Sequence, residues 1–163
     1  GAVIPVGDPI ADLGTAGVHI DGGVYWKFFP VFGVGLHISY DLPFGKKLSN
    51  GLEADFQFTG ITARAKYAGG DFFKYWVSVG GGLYFTTATV LKDGTTLDGS
   101  VCSSISCTSS GAAKFGIDIS AGIAFKTWGP LSLGPAVGIT APAVGRFGDF
   151  LILTAALRGH WNL

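Results

Sequence analysis

Apolar and polar side chains alternate in residues 73–85, which read FKYWVSVGGGLYF. One face of this segment consists of Phe73, Tyr75, Val77, Val79, Gly81, Leu83 and Phe85. The opposite face consists of Lys74, Trp76, Ser78, Gly80, Gly82 and Tyr84. Successive side chains of a β-strand point to opposite sides of a sheet, so a period of two predicts a strand with one apolar face. Residues 114–126 and 151–163 repeat the pattern.

The composition predicts that the apolar faces contact lipid. Charged residues make up only 13% of the 163 residues, against about 25% in an average soluble domain, too few to cover a water-facing surface. A lipocalin-like soluble barrel alternates as well, and this scarcity of charge argues against it. The longest charge-free stretch, 127–145, is interrupted by prolines and cannot form a spanning helix. Only helices and closed barrels can span a bilayer, because every backbone polar group must be paired there. With a spanning helix excluded, a closed barrel is the structure that remains.

We therefore expect an all-β fold, a closed antiparallel up-and-down transmembrane β-barrel. Seven strands are predicted, at 16–28, 31–41, 51–67, 73–85, 114–126, 131–140 and 151–163. Bacterial single-chain barrels have an even number of strands, which makes about eight. Residues 1–15 are either the eighth strand or an extension tucked into the lumen, and residues 16–163 form the barrel domain. Net charge is zero and there is no basic tract, so no nucleic-acid partner is expected.

Two positions disturb the strand pattern. The polar residues of 51–67 change parity, and a β-bulge near Gly60 would return them all to one side. Pro135 cannot donate a hydrogen bond to a neighbouring strand, so it predicts a second bulge or a strand end.

The connections alternate in length, as in membrane barrels, where one side has short turns and the other long loops. The short ones lie near Phe29-Pro30, 68–70 and 128–130, and the long ones at 41–51, 91–112 and 141–149. Aromatic residues at the short-turn ends predict a belt at the lipid–water interface. Its members are Trp26, Phe28, Phe73, Trp128 and Trp161.

Over about residues 16–163 these features, with a C-terminal strand that ends in Trp161 and Leu163, resemble the OmpA/OmpX/OmpW-like class of small bacterial outer-membrane barrels. The resemblance implies a mature chain in the outer membrane after signal removal. It also implies contact with outer-membrane lipids and lipopolysaccharide, and a structural or surface-interaction role without catalysis or cofactor. Loops 41–51 and 91–112 are the expected contacts for a surface partner. A narrow transport barrel for small or apolar molecules and a lipid-modifying enzyme are the alternatives.

The enzyme alternative depends on His37 and Ser39, an H-x-S pair that resembles the pair of outer-membrane lipid A deacylases. In that family a carboxylate completes a serine-hydrolase arrangement, and the pair faces lipid. Here Leu36 and Ile38 hold the apolar parity, so His37 and Ser39 are predicted to face the lumen. The residues that follow, 40–42, also depart from the family pattern. We expect no catalytic residue.

The inward face is predicted to carry a polar network with both signs of charge. Its members are His19, Asp21, Lys27, His37, Asp41, Glu53, Asp55, Arg64, Lys66, Lys74, Lys114, Asp118, Arg158 and His160. Such a set either fills a narrow barrel with ion pairs or lines a pore or ligand site.

The two cysteines, Cys102 and Cys107, both lie in the longest predicted loop. In an oxidising compartment this spacing predicts a disulfide that closes a short ring. Two thiols with no histidine nearby in sequence do not complete a zinc site, so we expect no metal.

Overall fold

The computed structural model describes residues 1–6, 14–47, 52–71, 73–92, 95–96, 113–128, 130–142 and 151–161. Within these ranges the side chains at 14, 46–47, 52–56, 88–92, 95–96, 128 and 161 are not described. The strands are β1 (Ala2–Val6), β2 (Gly14–Phe29), β3 (Phe32–Lys47), β4 (Leu52–Gly69), β5 (Phe73–Lys92), β6 (Thr95–Thr96), β7 (Ala113–Trp128), β8 (Leu131–Pro142) and β9 (Leu151–Trp161).

Eight of these strands form a closed antiparallel ring, in the order β1-β2-β3-β4-β5-β7-β8-β9 and back to β1. Strand β6 is a two-residue addition that pairs with the last residues of β5. The predicted all-β closed barrel of about eight strands is confirmed. In the described part of the chain, no helix is long and apolar enough to cross a membrane.

Strand β1 closes the ring although it has only five residues. Its residues pair with 151–155 of β9, whereas only Ala2 and Val3 pair with β2. Pro5 lies opposite Ile152 of β9 and beyond the pairs with β2, a position where the missing N–H of proline costs little. Backbone bonds between Gly1 and His19, at 2.7 and 2.8 Å, complete the contact with β2.

The predicted bulge near Gly60 is wrong. Strand β4 pairs with β5 without interruption from Leu52 to Gly69, and the nearby register shift lies in β3, between Asp41 and Lys46. The pleat is therefore unbroken and places Phe58 inside, fully buried. The change of parity reflects Gln57 and Thr59, which lie on the outer face in alternation with the inward Phe58 and Gly60, and not an extra residue.

Pro135 produces neither a bulge nor a strand end, which corrects the second expectation. It lies inside β8 opposite Leu157, in unbroken register with β9. On the other side, the pairs with β7 stop at Ala136 and resume at Leu133 in the same register. The missing N–H therefore costs local pairs with one neighbour and leaves the strand intact.

The strands extend further on the long-loop side than the sequence predicts. Strand β3 continues to Lys47 and β4 begins at Leu52, so most of the predicted loop 41–51 is strand. Strand β5 continues to Lys92, into the predicted loop 91–112. A spanning strand needs only about 9–11 residues, so these strands are longer than a bilayer crossing would require. At the opposite end, Gly70 has a φ of 88° in the β4–β5 turn, a conformation that favours glycine.

Candidate functional site in the lumen

The wall of the barrel is apolar outside and polar inside. Large apolar side chains are exposed on the outer face of every long strand, among them Ile20, Leu36, Ile61, Val79, Ile119 and Val137. Buried polar side chains face inward, among them His19, His37, Asp41, Arg64, Asp118 and Ser120. Successive side chains of each strand point to opposite faces of the sheet, so every strand contributes both to the outer wall and to the lumen. The lumen is therefore the place where the polar chemistry of the described chain is concentrated.

An arginine–carboxylate contact joins β4 to β7 on the lumen side of the intervening strand β5. Nε of Arg64 lies 2.6 Å from Oδ1 of Asp118 and donates its hydrogen bond to Oγ1 of Thr62 at 3.1 Å. The hydroxyl of Tyr84 donates to Oδ2 of Asp118 at 3.3 Å. Arg64, Asp118 and Tyr84 are all almost fully buried, so an ion pair and a hydroxyl removed from solvent line this level of the lumen.

A second group joins two histidines to two carboxylates. His19 lies between Asp41, at 2.6 Å from its Nδ1, and Asp21, at 3.1 Å from its Nε2. Nε2 of His37 also approaches Asp21, at 3.4 Å. Arg158 forms an ion pair with the same carboxylate, and its Nε donates to Oδ1 at 3.2 Å. Asp21 is therefore the centre of a group that connects β2, β3 and β9.

Toward the short turns the lumen is lined by cations and aromatic rings. Nζ of Lys66 lies 3.0 Å from Nδ1 of His160, 4.8 Å from the ring centre of Trp76 and 5.0 Å from that of Tyr25. The guanidinium of Arg158 lies 5.2 Å from the ring centre of Trp76. Cations at such distances are attracted to the face of an aromatic ring.

Glycines allow the largest lumen side chains to lie flat against the wall. Tyr84 lies beside Gly60 and Gly116, where a Cβ on either glycine would come within 2.6 Å of its ring. Trp76 covers Gly122 in the same way, with Cζ2 2.7 Å from such a Cβ. Any larger residue at these glycines would displace a ring. Gly60, Gly116 and Gly122 are thus covered by aromatic rings.

The structure brings together most of the residues predicted for the lumen network. The contacts described above form three groups: His19, His37 and Arg158 with Asp21 and Asp41; Arg64 with Asp118; and Lys66 with His160. Lys74 is half-buried, whereas Lys27 and Lys114 are exposed near opposite ends of the barrel. The side chains of Glu53 and Asp55 are not among those described. Phe58, fully buried in the lumen, was missed because its segment was assigned the wrong parity.

The predicted belt residues Trp26, Phe28 and Phe73 point outward and are exposed. The side chains of Trp128 and Trp161 are not among those described, and Cys102 and Cys107 lie outside the described residues. Within the described residues, no cluster of His, Cys, Asp and Glu has the arrangement needed to hold a metal ion.

His37 and Ser39 both face the lumen and are buried. A serine-hydrolase relay needs one histidine nitrogen on the carboxylate and the other on the serine. Nε2 of His37 is directed at Asp21, which leaves Nδ1 for Ser39, and this Nδ1 has no hydrogen-bond partner. The relay is therefore not formed in this structure.

The chain matches no protein-family model and no curated protein. Among solved structures it is similar to Neisserial surface protein A (NspA), with a TM-score of 0.63 and 12% identity over 97% of this chain and 88% of that one. It is also similar to Ail, the attachment invasion locus protein of Yersinia pestis, with a TM-score of 0.57 and 12% identity over 98% of this chain and 91% of that one.

The fold is that of a small eight-stranded outer-membrane β-barrel. The outer-membrane barrel fold explains why apolar residues face outward along every long strand, since the outer wall of such a barrel contacts lipid tails. At 12% identity the likeness concerns the architecture only.

Proposed function

We propose that the chain is a non-catalytic barrel of the bacterial outer membrane, with a closed polar lumen and a structural or surface-interaction role. One observation carries the proposal. The contact of Lys66 on β4 with His160 on β9 joins opposite sides of the ring, and the buried ion pairs Arg64–Asp118 and Arg158–Asp21 each bridge an intervening strand of the wall. A barrel of about eight strands has an interior just wide enough for side chains to fill.

Partners follow from the same geometry. The apolar outer wall favours contact with outer-membrane lipids and lipopolysaccharide. The long strands β3, β4 and β5 extend beyond the bilayer on the long-loop side, where a surface partner would meet residues 41–51 and 91–112. Similarity to a Neisserial surface protein and to an attachment invasion protein supports a role at the cell surface.

Planar-bilayer recording tests the closed lumen. We expect no stable conductance of porin size, because the buried side chains of Arg64, Asp118 and Tyr84 project into the lumen at one level and the Lys66–His160 contact joins opposite strands at another. Heat-modifiable migration of the same preparation on gels serves as the control that the inserted protein is folded. A steady conductance step from folded protein would instead support the narrow transport barrel and overturn this proposal.

We also expect Cys102 and Cys107 to be joined in the native protein. The bridge closes a small ring, so its entropic effect is confined to the loop. A maleimide should label neither cysteine before reduction and both after it. The variant Cys102→Ser leaves Cys107 without its partner and should take one label without reduction, with barrel folding unchanged. Full labelling of the unreduced native protein would show that the bridge is absent.

A further inference from the structure

Charge is distributed unevenly along the lumen. The described lumen carboxylates, Asp21, Asp41 and Asp118, are all bound to the histidines and arginines of the two groups above. Toward the short turns the described inward side chains are cationic or neutral, and Lys27 and Lys74 are close enough to repel Lys66. The described carboxylate of that end, Asp71, is exposed in the β4–β5 turn.

Lys66 is the centre of this cationic half. Its ammonium contacts His160, Trp76 and Tyr25, and no ion pair with a described carboxylate is formed. An ammonium removed from water needs an opposite charge or full hydrogen bonding, and the faces of two rings replace only part of its hydration. A counter-anion would therefore be stabilised beside Lys66.

The hydrogen-bonding groups around Lys66 are donors without acceptors. An ammonium can only donate, so Nδ1 of His160 accepts from Lys66, and the proton of the neutral ring is on Nε2. That Nε2, the indole Nε1 of Trp76 and Oγ of Ser132 all lack a partner among the described residues. Trp76 is 4% exposed and Ser132 is 1% exposed, so bulk solvent does not satisfy them.

These donors belong to one region of the lumen. The rings of Trp76 and His160 are 5.5 Å apart, and Ser132 is the cross-strand partner of His160 in the β8–β9 ladder. The ammonium of Lys66 lies against both rings. A buried indole N–H, an imidazole N–H and a hydroxyl in one region, with an ammonium at the opposite edge of the imidazole, match the needs of an oxyanion, which only accepts hydrogen bonds.

From this arrangement we propose that the short-turn half of the lumen binds a phosphate group between His160, Trp76 and Ser132, with Lys66 as the neighbouring positive charge. A tetrahedral phosphate has enough acceptor oxygens for the three unpaired donors. It can come from free phosphate that enters from the short-turn opening or from the headgroup of an anionic lipid. The site is an addition to the proposed function, so a conducting lumen would overturn that function and leave the site standing.

The test follows the indole N–H resonance of Trp76 by NMR in detergent micelles, assigned with the variant Trp76→Phe. In one arm the folded protein is titrated with inorganic phosphate in a phosphate-free detergent. In the other it is placed in nanodiscs of phosphatidylcholine with increasing phosphatidylglycerol. A saturable shift in the first arm identifies free phosphate as the source, and one in the second arm alone identifies the lipid headgroup.

The variants decide whether the proposed residues are responsible. We expect Lys66→Gln to weaken the binding by at least about tenfold, because the positive charge that attracts the phosphate is lost. Ser132→Ala is a second and milder variant in case Lys66→Gln does not fold, and it should weaken binding in the same direction. Lys114→Gln is the matched control, since Lys114 is exposed toward the other end of the barrel, and it should leave binding unchanged. The absence of a saturable shift in both arms, or equal binding by wild type and both site variants, would overturn the proposal.

Discussion

Replacing Asp118 by alanine should lower the free energy of unfolding by about 3–5 kcal/mol, the usual cost of removing one partner from a buried ion pair. Asp118 lies 2.6 Å from Nε of Arg64 and accepts from the hydroxyl of Tyr84. All three residues are almost fully buried. Without the carboxylate, the guanidinium would keep its charge in the lumen with only neutral hydrogen-bond partners among the described residues, Thr62 and Tyr25.

Urea unfolding in phospholipid vesicles, followed by tryptophan fluorescence, measures this loss. Asp71→Ala is the matched control, since it removes an exposed carboxylate from a turn and should change stability by no more than about 0.5 kcal/mol. The double variant Arg64→Met with Asp118→Leu should recover most of the loss, because replacing both charges by apolar side chains leaves none unpaired. Equal stability of Asp118→Ala and wild type would show that water enters the lumen and hydrates Arg64.

The sequence predicts the barrel because its signal is local. Alternation in 73–85 or 114–126 depends only on neighbours two residues apart, and it also indicates that Asp21, Arg64, Asp118 and Arg158 face inward. The partner of each charge could not be predicted in the same way. Arg158 and Asp21 are 137 residues apart and come together only when β9 lies near β2 in the closed ring.

The errors of prediction have physical reasons as well. Polarity alone predicts the wrong direction for 51–67, because Gln57 and Thr59 stand on the outer face of a long strand and Phe58 lies buried in the lumen. The prolines of the first residues made a strand there doubtful. Pro5 is accommodated because the β1 pairs with β2 stop at Val3, so no donor is required on that side.

The unpaired donors in the short-turn half of the lumen show a second limit of sequence patterns. Period-two alternation places Lys66, Trp76 and His160 on the inward face, but it does not indicate which atoms lack partners. That depends on the rotation of the rings, which brings Nδ1 rather than Nε2 of His160 to the ammonium. The unpaired donors can be identified only from the positions of the side chains.

Introducing an arginine at Val79 should lower the free energy of unfolding by about 2–4 kcal/mol, the cost of a cation on the lipid face at the bilayer midplane. Val79 is 51% exposed on the outer wall, between Ala65 and Ile119 of the neighbouring strands. It follows the belt residue Phe73 by six positions, about 20 Å along the strand. With the usual tilt of about 35–45° this is a height of about 15 Å, close to the middle of an apolar band about 25 Å tall.

Thr87→Arg provides the matched control for Val79→Arg. Thr87 lies on the same strand and the same exposed face, eight residues nearer the long-loop end, or about 26 Å along the strand. There the arginine reaches water, and its cost should fall to about 0–1 kcal/mol. Both variants add the same side chain to β5, so their difference isolates depth from strand propensity. Equal costs in vesicles would mean that the wall at Val79 is not in hydrocarbon, whereas a cost that grows as the lipid tails are lengthened would place Val79 firmly inside it.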